Sequence, residues 1–297
     1  MIIELPKSRG EIRHNFNLAN LTWFKVGGCA EVLFKPADID DLSHFLAHLD
    51  QTIPVHVIGA GSNIIVRDGG IDGVVVKLGR GFGDITTDFS NDPLLKVGAG
   101  ALNYSLAQYA MQNQLQGLEF LVGIPGTIGG GITMNAGSYG SEFKDILHSI
   151  TMLDRNGKKH IIHTDEMGFG YRHNSLQDWA IFVESTFNLH IGDQQKIKAK
   201  MDEISAARQT TQPINQKTGG STFANPDGYK AWQLLDQVGM RGFALGGAQF
   251  SPLHCNFMLN TGNATATELE ALGEMARTKI LEQTGVELKW EIKRLGK

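Results

Sequence analysis

Residues 119–140 read EFLVGIPGTIGGGITMNAGSYG. Glycines stand at 123, 126, 129, 130, 131, 137 and 140, the one charged side chain is Glu119, and Leu121, Ile124, Ile128, Ile132 and Met134 are interleaved among them. A solvated linker combines glycine with polar residues. This stretch combines glycine with apolar ones, so it reads as backbone packed against another surface. Glycine serves where φ is positive or where an approaching surface leaves no room for a Cβ. A large ligand bearing phosphates is the leading candidate for that surface.

Upstream, Val55–Arg67 reads VHVIGAGSNIIVR and sets Gly59-Ala60-Gly61-Ser62-Asn63 directly after an apolar run. A dinucleotide fingerprint needs a third glycine and then a helix, so that the pyrophosphate meets a helix N-terminus. Ile64 stands where that glycine belongs and the following residues are strand-like, which disfavours a Rossmann unit. A strand–turn–strand can still bind phosphate, because successive amides in a tight turn form an anion nest, and Ser62 and Asn63 add side-chain donors. A simple hairpin turn is the competing reading of this loop alone. Gly98-Ala99-Gly100 follows a further apolar run. Together the three segments imply several backbone approaches to one extended ligand.

The chain has 297 residues, 41% hydrophobic, with 27 basic and 31 acidic side chains and a net charge of -4. That length allows two domains and a buried core. The charge offers no general attraction for nucleic acid or an anionic membrane, so phosphate must be met locally. The N-terminus carries scattered charges rather than a signal sequence, and no apolar run is long enough to span a bilayer; a cytoplasmic location is expected. Cys29 and Cys255 lie far apart in sequence, so neither a disulfide framework nor a CxxC site is available. His44 and His48 have helical i, i+4 spacing but no third ligand, and no metal is expected.

The secondary structure expected is α+β. Asp38 can cap a helix with Ile39, Leu42, Phe45, Leu46 and Leu49 on one face, and Asn103 another with Leu106, Ala110 and Leu115. Strands are expected at 30–35, 55–58, 64–67, 74–78, 94–97, 146–154 and 181–189. A helix at 193–208 buries Ile197, Met201 and Ile204, and Thr210–Gly220 (TTQPINQKTGG) reads as a linker to a further domain. There, helices are expected around 230–238 and 267–283, the latter with a Thr267/Glu270 capping box, and a strand around 256–259. A last strand alternates Val286, Leu288, Trp290 and Ile292 with charged residues.

The motifs NLTWFKVGG (20–28), GAGSN (59–63) followed by Asp68, GAG (98–100), the glycine stretch 117–140, Tyr171-Arg172, GSTFANP (220–226) and ELKWEI (287–292) occur in this order. The series resembles that of the UDP-N-acetylenolpyruvoylglucosamine reductases (UDP-N-acetylmuramate dehydrogenases), from about residue 20 to the end, and the length is similar to the shorter of that family's two types. The resemblance implies an FAD-binding domain of the vanillyl-alcohol-oxidase type in two α+β subdomains, 1–78 and 79–208. A C-terminal α+β substrate-binding domain, 209–297, would follow, and the final strand could return to the FAD domain. It implies bound FAD, NADPH as co-substrate, ping-pong kinetics, small-molecule partners and a monomer. Another FAD-dependent oxidoreductase of the same fold, acting on an alcohol or sugar, is the alternative.

The reaction so implied turns an enolpyruvyl ether into a lactyl ether and needs a hydride source, a cation for the carboxylate and a proton donor. Arg172 is the candidate cation, since a guanidinium offers two parallel hydrogen bonds to a carboxylate without losing its charge. Ser221 is the candidate proton donor to an enolate. Glu291, matching the family's terminal Glu, would orient or stabilise the enol intermediate, through a proton or a water. By the resemblance Gly59, Ala60, Gly61, Ser62, Asn63, Gly123, Ile124, Pro125, Gly126, Thr127, Gly129, Gly130, Asn135 and Gly137 are the cofactor-binding positions. Tyr139, Tyr171, Asn225 and His254 are those for substrate. Two positions depart from the family pattern: Asn174, often Ser, and Ala224, often Lys. With no basic residue in the glycine stretch, backbone N–H groups are expected to hold the phosphates there.

Overall fold

The computed structural model describes residues 4–90, 93–176 and 180–297. Contacts divide the chain into one unit of Met1–His14, Val32–Ala60 and Gly73–Ala206 and another of Asn15–Glu31, Gly61–Asp72 and Ala207–Lys297. The three continuous segments expected from sequence do not coincide with these units, because 15–31 and 61–72 group with the C-terminal part.

The first unit has two apolar cores. In one, helix α1 (Ile39–His48) lays Leu42, Phe45 and Leu46 against Val32, Phe34, Val74 and Val76. Phe34 stacks on Phe45 with ring centroids 4.1 Å apart. The helix starts as expected, with the Asp38 carboxylate accepting the amide of Asp41 at 2.9 Å. The strand Val55–Ile58 pairs in parallel with Ile71–Lys77, Ile58 facing Lys77, and so delivers the chain to Gly59.

The other core lies under a five-stranded antiparallel sheet in the order Lys159–His163, Leu147–Leu153, Ile181–Asn188, Leu94–Gly98, Ile85–Asp88. Helices α2 (Asn103–Gln112), α3 (Ile128–Thr133) and α4 (Gln194–Thr211) add Leu106, Ala110, Ile128, Ile132, Ile197, Met201 and Ile204 to it. Asn103 is not the cap of α2. That position is Leu102, without a side-chain bond, and Asn103, one residue in, donates to the carbonyl of Ile124 at 3.1 Å. The supposed linker is short: α4 runs to Thr211 and the next strand begins at Thr218.

The second unit is built on a four-stranded antiparallel sheet in the order Thr218–Ser221, Phe257–Asn260, Ala248–Phe250, Ala244–Leu245. Helices α5 (Ala231–Gln237) and α6 (Ala266–Thr284) cover it. Its core joins Phe24, Val26 and Ile65 to Phe223, Leu235, Phe250, Met258, Leu272 and Leu288. The C-terminal strand Lys293–Leu295 pairs in parallel with Ile64–Val66. The expected strand over 286–292 is reduced to a single bridge between Phe223 and Trp290. The pairing goes one bond further, from the Ala224 amide to the carbonyl of Lys289 at 2.9 Å, and then meets Pro226, which has no N–H to extend a ladder. The alternation survives as burial, Leu288 and Ile292 inside, Glu287 and Lys289 outside.

The capping box of α6 is Thr265 with Glu268, two residues before the expected pair. The same spacing occurs twice, and Asp68 takes the second set, accepting the amides of Ala266 at 3.0 Å and Thr267 at 2.9 Å and the Thr267 hydroxyl at 2.7 Å. Glu270 instead pairs with Arg67 at 2.9 Å. Burial pushes the Asp68 carboxyl up, but these donors outweigh it and hold it below its ordinary value. A depressed carboxyl stabilises the fold above its unfolded pKa, about 3.9, and loses that contribution as pH falls through the folded value. Asp68→Ala should therefore cost about 0.5–2 kcal/mol in thermal or urea unfolding near neutral pH. The gap should be constant above about pH 5 and narrow below about pH 4; one that widened on acidification would contradict the assignment.

Candidate functional site

In the first unit the glycine stretch serves two different ends. A Cβ at Gly129 would lie 3.0 Å from that of Ala99, and one at Gly131 would overlap the Phe143 ring, so these two glycines pack α3 on its own protein core. The turn before the helix is different. A Cβ at Gly59 would stand 2.5 Å from the Thr127 hydroxyl, which brings the loop after Val55–Ile58 against the glycine stretch. Among the described residues no acceptor takes the amides of Ala60, Gly126 or Thr127. Lys77, at the end of the neighbouring strand, donates its ammonium to the carbonyl of Gly59. Burial, with the charge of Lys35, pushes the Lys77 pKa down. Open amides and a cation on one turn suit a diphosphate.

Asn135, also assigned to the cofactor, is fully buried at φ 40° and spends its side chain within the protein. It donates to Glu142 and to the carbonyl of Gly170 at 3.0 Å and accepts the amide of Lys144 at 3.0 Å. The bond to Gly170 ties the glycine stretch to the turn that carries Tyr171 and Arg172. That turn is closed by mutual bonds between Gly170 and His173, and Arg172 sits in it at φ 57°. A left-handed arginine costs energy that the surroundings must impose, and such residues concentrate at functional sites. Asn174 supplies the restraint: its amide donates to the α3 carbonyls of Ile132 and Thr133, at 3.2 and 2.8 Å, and its oxygen accepts the amide of Leu176 at 2.9 Å. Asn174 thus places three hydrogen bonds beside the turn that carries the arginine. The Arg172 guanidinium reaches the Gly137 carbonyl at 3.5 Å and lies 4.9 Å from the Tyr171 ring centre.

Tyr139 and Gly140, at φ 52° and 87°, form the two-residue turn of a hairpin in which Ser138 faces Ser141. Positive φ at both positions is the type I′ requirement. A tyrosine there is strained, and the residue is 46% exposed.

In the second unit Gly61 (φ 72°) abuts the main chain of Leu21, where a Cβ would overlap the carbonyl, and its own carbonyl accepts the amide of Trp23 at 3.0 Å. This explains the NLTWFKVGG segment: it is the bed of the glycine loop. Ser221 ends its strand opposite Phe257, after an irregularity at Gly219-Gly220 with Gly220 at φ 78°. Such bulges re-aim side chains near active sites. The amide of Glu291 donates to the carbonyl of Thr222 at 2.9 Å, so Glu291 is bonded to the residue next to Ser221. Glu291 is half-buried, not the solvated carboxylate of an outer face. Its neighbour Trp290 packs on Phe223, donates to Glu274 at 2.8 Å and carries the Arg294 guanidinium 4.6 Å from its ring centre.

Asn225 accepts the amide of Ala231 at 2.9 Å, steadying the start of α5. His254 accepts the amide of Asn256 on Nδ1 at 3.3 Å and meets the Phe257 ring edge-on at 4.8 Å. Burial pushes its pKa down, and the charge of Arg241 adds to that against a backbone hydrogen bond. Among the described residues no group of three or more His, Cys, Asp or Glu could hold a metal, and no helix is long and apolar enough to cross a membrane.

The family model described as FAD binding domain matches residues 30–163, and that described as UDP-N-acetylenolpyruvoylglucosamine reductase, C-terminal domain, matches 212–295. The UDP-N-acetylenolpyruvoylglucosamine reductase of Orientia tsutsugamushi (strain Ikeda) is 53% identical over 297 residues, 100% of this chain and 98% of the relative. That of Rickettsia bellii (strain RML369-C) is 54% identical over 295 residues, 99% and 97% of the two chains. This chain belongs to the UDP-N-acetylenolpyruvoylglucosamine reductase family. The crystal structure of the Thermus caldophilus UDP-N-acetylenolpyruvylglucosamine reductase superposes with a TM-score of 0.83 at 32% identity, covering 98% of this chain and 100% of that one. The family's FAD-binding domain is present, with α+β architecture throughout, and the open amides beside Gly59 and Thr127 fit the diphosphate of FAD.

Two residues that support the candidate positions, one in each unit, were invisible in the sequence. Lys77 reaches the glycine loop through a strand pairing that no local pattern reveals. Asn256 is 5% exposed and clamps Phe223 from both sides, accepting its amide at 3.0 Å and donating to its carbonyl at 2.8 Å, while its own carbonyl accepts the Thr222 amide at 2.7 Å. Asn256→Ala strands the Phe223 amide and carbonyl, each costing about 1–3 kcal/mol. Urea unfolding should show a loss of about 2–5 kcal/mol, and a loss under about 0.5 kcal/mol would remove Asn256 from the support of the Ser221 strand.

Proposed function

We propose that the chain reduces UDP-N-acetylenolpyruvoylglucosamine to UDP-N-acetylmuramate, a precursor of peptidoglycan, with FAD bound and NADPH as reductant, in ping-pong half-reactions. The bond from Glu291 to Thr222 carries the reading, because it couples two of the three candidate catalytic positions through one peptide; full-length similarity to the named relatives supplies the substrate. FAD, when bound, supplies the hydride carrier that no side chain can be.

The chain's residues do the rest. Arg172 binds the substrate carboxylate through both guanidinium edges and pairs with the negative charge that builds there as an enolate. Ser221 gives its hydroxyl proton to the carbon next to the carboxylate, which completes the lactyl ether once hydride has added to the terminal carbon. Glu291 orients or stabilises the enol form, through a proton or a bound water. Lys77 and the amides around Gly59, Ala60, Gly126 and Thr127 hold the diphosphate of FAD. Tyr139, Tyr171, Asn225 and His254 serve the sugar nucleotide, Asn225 with the amide nitrogen that its contact to Ala231 leaves over. In this division 1–78 and 79–208 carry the cofactor and 209–297 the substrate, and the enzyme works as a cytoplasmic monomer.

Stopped-flow separation of the half-reactions tests the assignment. Ser221→Ala should leave flavin reduction by NADPH nearly intact and slow re-oxidation by the enolpyruvyl substrate about 10²–10⁴-fold; equal losses in both halves would refute Ser221 as the acid. Arg172→Lys keeps the charge but not the paired geometry. It should lower kcat/KM for the enolpyruvyl substrate by at least about tenfold, and near-normal turnover would refute Arg172 as the carboxylate clamp.

A further inference from the structure

The last residue of the glycine loop faces a different partner from the one its motif suggests. The side-chain amide of Asn63 donates to the carbonyl of Glu291 at 3.2 Å, across a sequence separation of 228 residues. The carbonyl of Asn63 accepts the amide of Lys293 at 3.0 Å. On the opposite side Glu291 donates its own amide to Thr222 at 2.9 Å, and Ile292 reaches the same carbonyl at 3.4 Å. The main chain of Glu291 is therefore gripped through its carbonyl by Asn63 and through its amide by Thr222.

The Thr222 side of this grip cannot yield. Thr222 is fully buried, its amide is held by Asn256, and the neighbouring Phe223 is clamped by the Asn256 side chain. The Asn63 side has one adjustable contact, the side-chain amide. We propose that Asn63 is a positioning residue for Glu291: its amide sets the peptide from which the carboxylate projects, rather than binding the cofactor diphosphate. The inference rests on the role given to Glu291 above. It predicts a variant that folds, because the parallel pairing of Ile64–Val66 with Lys293–Leu295 starts at the next residue and uses main-chain groups that a side-chain change leaves in place.

The test is Asn63→Ala in the full chain, read in three ways. FAD affinity of the apoprotein, by fluorescence titration, should change by less than about threefold, since a lost diphosphate ligand would show there. Flavin reduction by NADPH should change as little, while re-oxidation by the enolpyruvyl substrate slows by about tenfold or more. In a double-mutant cycle with Glu291→Gln, the second substitution should add little to the first, as expected for groups acting as one. A tenfold or greater loss of FAD affinity, equal slowing of both half-reactions, or full additivity with Glu291→Gln would each overturn the proposal. Failure of the underlying reading has its own signature, because the wild-type reduced flavin would then not be re-oxidised by the enolpyruvyl substrate at all, and the role of Asn63 would fall with it.

Discussion

Main chains in this molecule meet at distances that a single methyl group would forbid. Gly61 rests on the main chain of Leu21, Gly70 on that of Cys29 and Gly98 on that of Phe82, and at each a Cβ would overlap its neighbour. The consequence is geometric. Where two backbones touch, their carbonyls and amides face each other or a ligand directly, and side chains are pushed to the margins. A phosphate approaching such a surface would meet amides rather than a basic patch, in keeping with the net charge of -4.

The price of such packing is strain; of the left-handed residues that are not glycine, Asn15, Lys25 and Gln114 lie elsewhere and the others belong to the candidate site. Asn135, Tyr139 and Arg172 all adopt left-handed φ without being glycine. None could persist as an isolated turn. Each is held by its surroundings: Asn135 by three hydrogen-bonded partners, Tyr139 by a two-residue hairpin, Arg172 by a turn bonded to Asn135 and underpinned by Asn174. Buried asparagines recur as the restraint, here and at Asn256, because one amide side chain both donates and accepts.

Elements decided by local chemistry were legible in the sequence. Asp38 caps α1, the stripe Ile197, Met201 and Ile204 is the buried face of α4, and Ile64 after the glycine loop does begin a strand rather than a helix. What failed to show was set by distant partners. Two overlapping capping boxes precede α6, and only Asp68, from elsewhere in the chain, decides between them. The alternation of 286–292 is real as burial but becomes a strand only beyond it, where Ile64–Val66 offers a partner. Lys77 and Asn256 carry no motif, and their importance exists only through the pairing that delivers them.

The parallel pairing of Lys293–Leu295 with Ile64–Val66 has a bearing on how the protein is made. The bed on which that pairing rests, residues 15–31 and 61–72, is synthesised early, whereas the rest of its unit, 207–297, comes last. During translation the early segments must wait with Phe24, Val26 and Ile65 uncovered while the other unit, whose residues end at 206, can already close. The second core closes only after Leu288, Ile292 and the strand Lys293–Leu295 have been made. Nascent chains that lack Lys293–Leu295 therefore leave the edge of Ile64–Val66 unpaired, the kind of exposed surface that chaperones hold and proteases cut.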